Sequence, residues 1–137
     1  MTKKLTHELA QKALAVGIAK CREMNEPSAL AIVDAGGYLI AFLRVDDAAI
    51  STLKIAQSKA YTAVCLRAPT HKWMDLIQPG GPLFGLEHTS AGLPYVFFGG
   101  GLPVMSNGEV IGAVGVSGGP AEADIEIGKE MVAVLQG

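Results

Sequence analysis

The sequence predicts an α+β fold, an antiparallel sheet with helices packed on it. Two hairpin signals, Asp34-Ala35-Gly36-Gly37 and Asn107-Gly108, each separate apolar runs of strand length. A turn that short joins only antiparallel strands. The helical segments lie outside these pairs, in the order α-β-β-α-(α)-β-β-β-α, without the βαβ alternation of a parallel sheet. About five strands are expected. The 137 residues are too few for two good cores, so residues 1–137 are expected to form one domain.

Thr6 is placed to N-cap the first helix, with Glu8 favourably near its positive end. Leu9, Ala13, Val16, Gly17, Lys20 and Met24 follow one stripe, with Leu14, Ile18 and Cys21 beside it. That helix runs to about Asn25 and stops before Pro27. Ser28 to Asp34 and Tyr38 to Arg44 read as the first hairpin, and Ile50 to Leu66 as a second helix. Its core stripe is Ile50, Leu53, Ala56, Ala60 and Val64. Thr70 to Ile77 reads as a short helix capped by Thr70, and Leu83 to Leu93 as irregular or one short helix. Tyr95 to Phe98, Leu102 to Met105 and Glu109 to Ser117 read as strands. Gly118-Gly119-Pro120 launches the last helix, Ala121 to Leu135.

Composition narrows the function classes. Hydrophobic residues make up 50% and charged ones 18%, which excludes a disordered chain. The formal net charge of −2 leaves no basic stripe for phosphates, so nucleic acid is not an expected partner. The longest uncharged stretch, Thr89 to Asn107, holds Pro94, Pro103 and four glycines, which argues against a membrane span. Glu8, Gln11 and Lys12 interrupt any signal-peptide core, so a cytoplasmic location is expected. Cys21 and Cys65 are expected to be buried small apolar residues and not a disulfide. The low charge and the apolar run Tyr95-Val96-Phe97-Phe98 point to surface buried between subunits.

No phosphate-binding loop, nucleophile elbow or HExxH motif is present, and His7, His71 and His88 are isolated. Several residues still carry chemistry. Asp34 can hydrogen-bond its own turn. Arg44 can pair with Asp46 and Asp47, or clamp a ligand carboxylate in bidentate fashion. Lys59 lies one residue off the buried face of its helix, which suits a solvated lysine or a partly shielded ammonium. Glu87, His88 and Thr89 sit in the Gly/Pro-rich segment, where loops hold functional groups. The glycines of Gly99-Gly100-Gly101 and of 112–119 cost stability in strands unless another backbone or a ligand approaches closely. Gly118 and Gly119 also leave the first amides of the last helix open to an anion.

Several stretches together resemble the GlcG/HbpS-like family, which also forms the C-terminal domain of PduO-type proteins. They are residues 31–44 (AIVDAGGYLIAFLR), Lys59-Ala60, Gly100-Gly101-Leu102-Pro103, and residues 108–119 (GEVIGAVGVSGG), with Asp124 in the last helix. The similarity spans nearly the whole chain. It implies a profilin-like α-β-α sandwich that assembles as homo-oligomers, non-covalent haem binding in several members, and a setting in glycolate, diol or glycerol catabolism. His88, His7 and Thr89 are then the candidate iron ligands. Arg44 and Lys59 would answer the propionates. No Cys-x-x-Cys-His is present, so covalent attachment is not expected. A competing reading is a lyase or isomerase on a small organic or aromatic acid at a subunit-interface pocket. It would use Arg44 or Lys59 for the anion and His88 or Glu87 as the acid–base group. A third reading is a ligand-free structural or regulatory oligomer.

Overall fold

A computed structural model of the protein describes residues 3–137. The chain runs α1 (His7–Met24), β1 (Ala29–Asp34), β2 (Leu39–Arg44), α2 (Thr52–Leu66), β3 (Gly101–Ser106), β4 (Glu109–Ser117) and α3 (Ala121–Gln136). Two 3-10 turns, Thr70–Trp73 and Leu86–Thr89, interrupt the long connection between α2 and β3. The α+β class is therefore correct, but the sheet has four strands, in the order β2-β1-β4-β3, and all pairs are antiparallel.

Local chemistry sets most of the ends. Thr6 caps α1 by accepting a hydrogen bond from the Leu9 amide at 3.2 Å. Asp34 Oδ1 accepts from the amides of Gly36 and Tyr38 at 2.9 and 3.0 Å, which closes the first hairpin. Asn107 and Gly108 both adopt positive φ, 51° and 78°, as a tight second hairpin requires.

Alternation along β1 sends its side chains to two different layers. Leu30 and Ile32 join Val114, Val116, Ile127, Met131 and Leu135 in a core shared with α1 and α3. Ala29, Ala31 and Val33 face the other way, against Ala56, Ala60, Ala63 and Val64 of α2. This second interface is built from small side chains, so α2 lies close on the sheet. A Cβ added to Gly115 would fall on the Ala56 carbonyl oxygen and 2.7 Å from the Ala60 nitrogen. Glycine is what lets the helix approach.

Four expectations need correction. Tyr95–Phe98 is not a strand. The Val96 amide donates to Thr62 Oγ1 of α2 at 2.9 Å, and the Phe98 carbonyl accepts from Thr70 Oγ1 at 2.6 Å. Side-chain hydroxyls thus satisfy backbone groups that a ladder would otherwise have taken. Thr70 for its part caps no helix; only a 3-10 turn forms there. Ile50 and Leu53 are 81% and 42% exposed, because α2 begins only at Thr52 and its buried face is Ala56, Ala60 and Ala63. Cys21 is buried as expected, but Cys65 is exposed, and the two thiols are free. Burial pushes the Cys21 thiol up.

Replacing Gly115 with Ala is expected to lever α2 off the sheet and cost about 1–3 kcal/mol through overpacking. A denaturant midpoint unchanged from the parent would show that the helix can lift freely.

Candidate functional site

A buried polar cluster gathers where the C-terminal end of β4 meets the start of α3. Lys59 of α2 is 2% exposed, fully buried where the sequence led to a solvated lysine or a partly shielded ammonium. The sequence pattern missed this because it scored only the flank of α2 that faces the sheet. Residues 95–101 cover the other flank, and a Cβ on Gly101 would meet the Lys59 carbonyl oxygen. Gly100, at φ 127°, passes so close that an added Cβ would stand 3.0 Å from Lys59 Nζ. The run of three glycines was the legible trace of this crossing.

A buried ammonium must spend its hydrogens inside the protein. Lys59 Nζ donates to the carbonyls of Gly99 and Val116, each at 2.8 Å, and to Asp124 Oδ2 at 3.1 Å. Asp124 stands in the first turn of α3 and is itself 2% exposed. Its Oδ1 accepts from the Gly119 amide at 3.1 Å. The anion expected at the start of this helix is thus supplied by the protein's own carboxylate. Burial pushes Lys59 below the ordinary lysine range, and the Asp124 charge pulls it back. Burial likewise pushes Asp124 up, opposed by Lys59 and by the amides of Gly119 and Gly118. Both shifts express the cost of removing charge from water. With its hydrogens committed, Lys59 is not a free nucleophile or base.

Gly118 and Gly119 are needed for space and not for a positive φ, which neither adopts. A Cβ on Gly118 would strike the Pro27 carbonyl oxygen and come within 2.6 Å of Ser28 Cα. At Gly119 the obstacle is the more yielding Glu26 carboxylate, with Cδ 2.7 Å away.

A cleft of about 230 Å³ opens beside the ion pair, with Ile55, Phe98 and Ala121 as apolar walls and Lys59, Ser117 and Asp124 as polar ones. A second cavity, about 490 Å³, lies at the opposite end of the sheet between Lys3, Lys4, Leu5, Asp34 and Ile40. No histidine lines either space.

The remaining candidates are scattered. Arg44 pairs across the sheet with Ala29, which pairs in turn with Ser117, so Arg44 shares the sheet end with the cleft. It lies two strand spacings away, on the order of 10 Å. It is exposed, and among the described residues it forms no ion pair with Asp46 or Asp47. Glu87, His88 and Thr89 share the 3-10 turn Leu86–Thr89, where Thr89 Oγ1 donates to the Leu86 carbonyl at 2.7 Å and His88 is exposed. His7 opens α1 with Nε2 3.0 Å from Glu8 Oε2. Among the described residues no group of three metal-ligating side chains is assembled, and no helix is long and apolar enough to cross a membrane.

Asp124→Asn leaves the Lys59 ammonium buried without its counter-charge and is expected to cost about 3–5 kcal/mol. Lys59→Met combined with Asp124→Leu should cost less than that single change. In Asp124→Asn the folded lysine falls further below its unfolded value of about 10.4. Between those two values the unfolded chain binds more protons, so stability rises with pH through the window and is flat above it. Denaturant unfolding at several pH values checks this; a variant whose stability falls with pH there contradicts it.

Comparison with known proteins places this architecture. Residues 5–133 match the family described as haem degrading protein HbpS-like. A Citrobacter freundii protein, described as an uncharacterized 15.0 kDa protein in the dhaT-dhaS intergenic region, is 48% identical over 120 residues, covering 88% of this chain and 84% of that one. Corrinoid adenosyltransferase PduO of Salmonella typhimurium is 36% identical over 129 residues, 94% of this chain but 38% of PduO. The crystal structure of a PduOC:haem complex superposes with a TM-score of 0.90 at 32% identity, over 96% of this chain and 95% of that one. The chain belongs to the HbpS-like family.

Proposed function

We propose that this protein is a small-ligand-binding member of its family that takes up haem non-covalently and works as a homo-oligomer. The observation that carries the reading is the superposition, over nearly the full length of both chains, on a relative crystallised with haem. The chain carries the residue types that such a group needs, on separate surface segments. It needs an imidazole for iron, a cation for a propionate and apolar surface for the ring. His88 is exposed and its ring makes no hydrogen bond or ion pair among the described residues, whereas His7 is engaged by Glu8. Phe84, four positions before His88, is 66% exposed. Arg44 is an exposed guanidinium that forms no ion pair among the described residues. Lys59 is left out of the ligand's contacts, because Gly99, Val116 and Asp124 already take its hydrogens. Bound haem would supply an iron centre; the chain's part is to hold, orient and shield it.

Large apolar side chains left on the surface, Tyr38 at 76%, Ile50 at 81% and Phe98 at 59% exposure, support assembly with further copies. The proposed catabolic setting, glycolate, diol or glycerol breakdown, rests on relatives and on no residue of this chain. The lyase or isomerase reading needs Arg44 or Lys59 together with His88 or Glu87 at one pocket. The cleft that Lys59 lines includes none of the other three.

Titration with haem should give a saturable Soret band. His88→Ala should change its position, while His7→Ala should leave it in place. Arg44→Ala should weaken binding about tenfold with the spectrum kept, as loss of one charge-assisted contact implies. No saturable spectral change in the parent protein ends the haem reading. For assembly, light scattering at micromolar concentration should give a mass above one chain; a monomer mass overturns it.

A further inference from the structure

The cleft beside Lys59 and Asp124 is a separate place from His88, and its chemistry is unspent in one respect. Ser117 is 6% exposed and lines the cleft, and among the described residues its hydroxyl has no hydrogen-bond partner. It stands at the end of β4 on the same side as Ala113 and Gly115, which turns it toward α2 and into the cleft. A hydroxyl that faces a cleft and is not used by the protein is a place for a ligand atom. The start of α3 adds a second offer at Ala121, since the first amides of a helix have no acceptor within it.

We propose that this cleft binds a small uncharged molecule with one hydroxyl group and an apolar body. Size comes first. At about 30 Å³ for each water, the 230 Å³ cleft has room for a molecule of roughly eight non-hydrogen atoms, well short of a haem. The body of the ligand lies against Ile55, Phe98 and the Ala121 methyl. Its hydroxyl pairs with Ser117 Oγ, which can donate and accept at once.

Charge then excludes the obvious alternative, a carboxylate. Lys59 has no hydrogen left to give, and the positive end of α3 already holds Asp124. The Glu26 carboxylate stands against Gly119, and Glu122 follows in the first turn of the helix. On the cleft wall an incoming anion therefore finds the Asp124 carboxylate and a single, fully committed cation, so it gains no counter-charge there.

Benzyl alcohol, toluene and benzoate share one shape and differ in the feature at issue, so they serve as probes. Backbone amide shifts of the full chain, recorded without haem, are followed during titration with each. Saturable shifts confined to Gly99, Gly119 and Ala121 are expected with benzyl alcohol. Toluene should bind about fivefold to tenfold more weakly, the worth of one hydrogen bond, and benzoate more weakly still. Ser117→Ala, which removes only the hydroxyl, should bring benzyl alcohol down to the toluene affinity. The proposal is overturned by unshifted amides at these residues, by benzoate binding as well as the alcohol, or by a preference that survives Ser117→Ala.

Discussion

An ammonium carried out of water keeps its charge only if the protein replaces every hydrogen bond it had. Lys59 meets that condition on three segments at once: the glycine run before β3, the end of β4 and the start of α3. Each acceptor fixes its segment against α2. The Asp124 carboxylate then extends the constraint to the Gly119 amide and so to the entry of the last helix. Helix, sheet and connection are held in one place by a pair whose net charge is zero. Such a pair is weak as a source of stability but strong as a specification, because any other arrangement leaves an unpaired charge indoors.

The geometry around the pair follows from how little side chain lies in the way. Ala56, Ala60 and Ala63 meet Ala29, Ala31 and Ala113, and Gly115 lies beneath the helix backbone. Only with α2 this low does a lysine stem reach across to the Val116 carbonyl. The opposite layer follows a different rule, with Leu30, Ile32, Ile127, Met131 and Leu135 as the largest fully buried side chains. One layer of the molecule is packed for bulk and the other for proximity. The cleft lies on the second.

What could be read in the sequence divides along the same line. The two hairpins were legible because their determinants are local: the Asp34 side chain bonds amides two and four residues on, and Asn107-Gly108 carries its own backbone preference. The capped start of α1 and the resemblance to the family were legible for the same reason. Tyr95–Phe98 has the composition of a strand, yet its backbone is claimed by the hydroxyls of Thr62 and Thr70, which are distant in sequence. Ile50 and Leu53 have apolar side chains at helical spacing but remain exposed at the start of α2. Lys59 was placed on the correct edge of its helix, and its burial depended on a segment some 40 positions away. Ser117 gave no signal at all, since an unpaired hydroxyl is a fact about its surroundings.

Those long separations also bear on the order in which the chain folds. The bonds from Lys59 span 40, 57 and 65 positions, so each closes a large loop. Desolvating the charge is repaid only when β4, α3 and the glycine crossing are all in place, which makes the pair a late contact. The β1–β2 hairpin and the β3–β4 hairpin have no such requirement and can form early. Interactions absent from the rate-limiting barrier act on the rate of leaving the native state. The ion pair therefore works as a latch: it contributes little to finding the fold and governs how long the fold, once closed, stays shut.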